Sequence, residues 1–81
     1  MPMATVLDVI TATLHRVGKI EGFGPDEDFY EAGFSSIKAL ELLLELESAC
    51  DVSIPDNQFI QSRTAHELLG LIVRLRQEQA A

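Results

Sequence analysis

The chain has no tryptophan, a single cysteine, three prolines and only six basic residues among 81. Each shortage closes off a class of protein. One cysteine, Cys50, cannot form an internal disulfide, and no cluster of Cys and His offers a structural zinc site. Stability must therefore come from packing. No apolar run approaches the roughly 20 residues of a membrane span, and the N-terminus lacks a charged segment followed by an apolar one. That pattern predicts a cytoplasmic protein with no membrane partner. A domain of this size buries only about 60% of its unfolded surface, too little for two cores, so residues 1–81 are expected to form one domain. With 47% hydrophobic and 23% charged residues the chain should nevertheless fold, and helices are the economical way to do it.

Thirteen acids against six bases give a net charge of −7, and the excess is local. From Glu21 to Asp56 ten acids face Lys38 alone, a net nine negative charges, while the remainder of the chain carries +2. Such a region repels phosphate backbones and anionic lipid and steers towards basic protein surfaces. Nucleic acid is not an expected partner.

Val6, Ile10, Leu14 and Val17 recur on one face, with Asp8, His15 and Arg16 opposite, which predicts an amphipathic helix over about residues 4–18 closed by Gly18. Residues 20–35 hold Gly22, Gly24, Pro25 and Gly33, so they read as a long loop. The loop also holds Phe23, Phe29, Tyr30 and Phe34, so it should be pinned to the core. Ser36 to Cys50 reads as the next helix, with no Gly or Pro. Ala39, Leu42, Leu43, Leu46, Ala49 and Cys50 share one arc of it, whereas Ile37, Leu40 and Leu44 form a second stripe flanked by Glu41, Glu47 and Ser48. This helix is expected to serve both the core and a partner. Ile54-Pro55-Asp56 opens a short turn of helix to about Gln61, with Phe59 and Ile60 available to close the bundle. Thr64 and Glu67 have capping-box spacing before a last helix reaching about Gln77, after which residues 77–81 should fray. The expected fold is an all-α four-helix bundle, three longer helices and one short, with a long loop between the first two.

No catalytic constellation converges. His15 and His66 read as solvated, Cys50 as a buried inert thiol, and Glu27 and Asp28 as solvated acids. Gly33-Phe34-Ser35-Ser36-Ile37 is different, because it delivers a serine to the first turn of a helix, where unpaired N–H groups suit a phosphate ester. A plain N-cap is the competing reading of the serine pair.

This stretch resembles the acyl carrier and peptidyl carrier protein family, whose modified serine lies in a motif like G-x-D-S-[LI]. The likeness extends to Asp28-Phe29 upstream, the Leu/Glu-rich helix, Asp51, Ile54-Pro55-Asp56 and the capped last helix. It implies a stand-alone, monomeric carrier that is not itself an enzyme. A phosphopantetheinyl transferase would move 4′-phosphopantetheine from coenzyme A to Ser36, with Ser35 as the adjacent cap. A cargo-loading ligase would then place an acyl or aminoacyl thioester on the arm for downstream transferases. The resemblance assigns partner binding to the helix after the serine, here Ile37, Leu40, Glu41, Leu44 and Glu47, and no metal to the chain. Ser35 departs from the family's usual Asp, so it caps the helix without the carboxylate that there helps hold the transferase's magnesium. A helical interaction module without an arm, binding through the Ile37/Leu40/Leu44 stripe, is the alternative reading.

Overall fold

The computed structural model describes residues 3–80. Its elements are α1 (Met3–Gly18), a 3-10 turn (Ser36–Lys38), α2 (Ala39–Cys50), α3 (Asp56–Gln61) and α4 (Ala65–Gln79). The α1 pattern is realised as expected: Val6, Ile10, Leu14 and Val17 are all buried, and Asp8, His15 and Arg16 are exposed. That stripe lets α1 pack along both α2 and α4, while the short α3 leans on α4. Leu42, Leu43, Leu46 and Cys50 supply the inner face of α2, and Leu68, Leu71, Ile72 and Leu75 that of α4. The result is a small all-helical bundle with one shared core.

Several expectations are corrected by the packing. Gly18 ends α1 but is not the left-handed residue that reverses the chain. Lys19 is, at φ 54°, with its N–H bonded to the His15 carbonyl at 2.8 Å. Gly18 is required for a different reason, since a Cβ there would overlap the Phe34 ring. The helix expected from Ser36 begins instead with a 3-10 turn, because the Ser35 carbonyl accepts the Lys38 N–H at 3.0 Å and draws the first turn tight. Ala49 is exposed, at the edge of the inner arc with a methyl too short to reach the core. Ile60 is 66% exposed, because α3 has only six residues and Phe59 takes its inward direction. Residues 77–79 do not fray. The Gln79 amide brackets Ser53, accepting from its N–H at 3.0 Å and donating to its carbonyl at 2.8 Å, so α4 continues to Gln79. Ala81 lies outside the described residues.

The two residues ending α1 should respond in opposite directions to substitution. Lys19→Gly should stabilise by about 1 kcal/mol by relieving a left-handed conformation that only glycine adopts freely. Gly18→Ala should destabilise, since the Phe34 ring must move. Urea unfolding midpoints check both, and a loss in Lys19→Gly would contradict the assignment.

Candidate functional site

The 17 residues between Gly18 and Ser36 are irregular yet fixed in place. Phe29 is fully buried and meets Phe34 edge-on at 5.5 Å, and Tyr30 meets Phe34 edge-on at 5.7 Å. Backbone bonds tie the loop to the start of α4: the Phe29 N–H donates to the Arg63 carbonyl at 2.9 Å, and the His66 N–H donates to the Pro25 carbonyl at 3.0 Å. His66 Nδ1 also lies 2.7 Å from Asp26 Oδ1. The Phe34 N–H returns to the Phe29 carbonyl at 2.9 Å, which closes the turn immediately before Ser35 and Ser36.

The acids read as solvated turn out to have structural partners. Glu27 accepts from the Gly24 N–H at 2.8 Å. Asp28 accepts from the Tyr30 and Glu31 N–H groups with one oxygen and from Arg63 Nε with the other. The hydrogen bond from Arg63 does most to hold its carboxyl below the usual aspartate range, helped by the backbone donors and opposed by partial burial. The Arg63 guanidinium in turn lies over the Tyr30 ring at 4.8 Å. Cys50 is buried, and burial pushes its thiol up, as an inert core cysteine requires.

Ser35 is extended (φ −76°, ψ 131°), and its hydroxyl accepts from the Ile37 N–H at 3.3 Å. Ser36 follows at the first position of the 3-10 turn and is exposed. It opens on a shallow groove of about 580 Å³ lined by Tyr30, Phe34, Ser36, Ala39, Ile60 and Arg63. A capped helical turn, an accessible hydroxyl and a guanidinium lining the same groove are features that suit a phosphate ester.

A family model for the phosphopantetheine attachment site matches residues 4–72. The chain belongs to this family. No curated protein and no solved structure matches it. As a member of the phosphopantetheine attachment family it carries 4′-phosphopantetheine covalently, and domains of this kind are carriers that are not themselves catalytic. The residues around Ser36 fit that group, since they leave the hydroxyl open and include a guanidinium in the lining of the same groove. When bound, the group supplies a flexible arm ending in a thiol. Among the described residues no helix is long and apolar enough to cross a membrane.

The residues anticipated for partner binding do not all lie alike. Ile37 is 90% exposed, Leu40 65% and Leu44 56%, a continuous apolar strip, and Glu41 is exposed beside it. Glu47 is engaged within the fold, where its carboxylate accepts from the Ile54 N–H at 2.8 Å and closes the turn after α2. Ile60 and Arg63 belong to the neighbourhood of Ser36 and escape sequence reasoning. Ile60 sits in a helix too short to show a period, and Arg63 is brought to Asp28 across 35 positions of sequence.

The Asp28 carboxyl, held below its unfolded value, adds stability above the ordinary aspartate range and loses it as pH falls through the lowered native value. Wild type should therefore melt above Asp28→Asn at neutral pH, with the two converging in strong acid. A constant gap across the titration would show that the charge on Asp28 is irrelevant.

Proposed function

We propose that Ser36 bears the phosphopantetheine arm and that the chain carries an acyl or aminoacyl thioester on it between partner enzymes. The observation that carries this reading is the accessible Ser36 hydroxyl at a capped helical turn, within a chain belonging to the attachment-site family. No base from this chain is needed, because the serine is the acceptor in a reaction performed by a phosphopantetheinyl transferase. Peptide mass mapping after co-expression with such a transferase should find one arm on Ser36 and none on Ser35, and Ser36→Ala should abolish it. An arm on Ser35 would move the site.

The loading ligase and downstream transferases are proposed to dock on the exposed strip of α2, Ile37, Leu40 and Leu44, with Glu41 at its border. Ile60 extends this strip towards Ser36: Leu40 and Ile60 line one shallow depression, and Ser36 and Ile60 line the adjoining groove. The surrounding acids favour a basic partner surface and raise its on-rate. A carrier of this composition is proposed to work as a cytoplasmic monomer.

Leu40→Glu should slow loading while moving stability by no more than about 0.5 kcal/mol, as surface changes usually do. Leu43→Ala, a truncation of a buried side chain, should cost roughly 2–5 kcal/mol with little direct effect on recognition. Thermal melts beside loading rates distinguish the two, and equal destabilisation by both would remove the partner reading of the strip.

A further inference from the structure

We propose that Arg63 is a positioning residue for the arm, holding its phosphodiester in the groove that Arg63 shares with Ser36. This rests on Ser36 as the attachment residue and assigns a role to a side chain that lines the same groove. Three observations carry it. Arg63 and Ser36 line the same groove, together with Tyr30, Phe34, Ala39 and Ile60. The guanidinium is already oriented, by Asp28 at its Nε and by the Tyr30 ring beneath its plane. Among the described residues, that Nε is the one nitrogen of the Arg63 guanidinium with a hydrogen-bond partner, so the two terminal amino groups keep their four N–H donors. A fork fixed in this way loses less freedom on binding than a mobile one, and its two parallel donors match the two non-ester oxygens of a phosphodiester.

The charge distribution gives this arrangement a purpose. Between Glu21 and Asp56 the chain carries a net nine negative charges, and a phosphodiester attached there adds another. Lys38 is the cation nearest to Ser36 in sequence, but it is not among the residues lining the groove. Arg63 comes from outside the acidic stretch, in the linker between α3 and α4, and shares a groove with Ser36 because the loop from Pro25 to Phe34 is bound to that linker. Asp28 orients the fork without meeting its full donor capacity, so the residue that takes part of the positive charge also aims the rest. Partial exposure of Arg63 leaves the interaction open to screening, which suits an arm that must leave the surface to visit an enzyme.

The test uses the protein with and without its arm. Nitrogen-15 spectra of the arginine side chains should show the Arg63 Nη–H signals shifting between the apo and holo forms, with the Arg74 and Arg76 signals unmoved. In the holo form, the phosphorus-31 signal should move in Arg63→Gln towards that of the arm on an unfolded serine peptide. It should move less in Arg63→Lys, which keeps the charge but not the fork, and should stay in place in Lys38→Gln. A purely structural Arg63 would give the same Nη–H signals in both wild-type forms, a comparison that needs no variant to fold. With the arm mapped to Ser36, an unmoved Arg63 signal, or a phosphorus signal moved by Lys38→Gln and not by Arg63→Gln, overturns the proposal and leaves the attachment reading standing. An arm mapped elsewhere overturns both.

Discussion

Phe29 ties together the parts that position the candidate serine. Its ring is wholly buried against Phe34 and Tyr30, and both its backbone groups are spent on distant neighbours, the N–H on the Arg63 carbonyl and the carbonyl on the Phe34 N–H. One residue thus joins the loop after α1, the linker before α4 and the turn that leads into Ser35 and Ser36. Burial of a side chain this size contributes about 2–3 kcal/mol, one part of what offsets the entropic cost of ordering the segment, together with the burial of Ile20 and Phe34 and the backbone bonds to Arg63 and His66. The helices form the scaffold, and Phe29 sets where the serine stands on it.

Legibility in the sequence followed the range of the interactions. The stripe on α1 and the capping box on α4 depend on residues three or four apart, so pattern and structure agree there, including the Thr64 and Glu67 side-chain bonds at 3.1 and 3.2 Å. The two faces of α2 were equally readable, because Leu42 and Leu46 lie inside and Leu40 and Leu44 outside. Features set by contact between distant segments were not. Gly18 is needed because Phe34 arrives beside it, Gln79 stays helical because Ser53 accepts its amide, and Asp28 is engaged because Arg63 reaches it. Around the serine, the motif marked Ser35 and Ser36, while the opposite wall of their groove was invisible until the chain folded.

The second face of α2 is informative because the core does not require it. Four large apolar side chains, Ile37, Leu40, Leu44 and Ile60, stay exposed in a protein short of interior surface. A bundle selected for stability alone would gain by replacing them with polar residues, which reduces the risk of association. Glu41 and the Arg16–Glu45 ion pair at 3.0 Å border this apolar strip with charge, which is compatible with the docking proposed for it. The ion pair itself is exposed and adds little to stability, but it links α1 to α2 at the edge of the strip.

The charge differs between the flanks of α2 and the groove that Ser36 lines. Glu41, Asp51 and Asp56 leave the flanks of α2 negative, which favours encounter with basic proteins. The groove that Ser36 lines is less acidic, since Ser35 contributes a neutral hydroxyl and Arg63, paired with Asp28, is the charged residue of the lining. An aspartate in place of Ser35 would cap the turn equally well and suit the helix dipole, but it would place a carboxylate beside the phosphate. With serine there, the cap is kept and the repulsion is avoided.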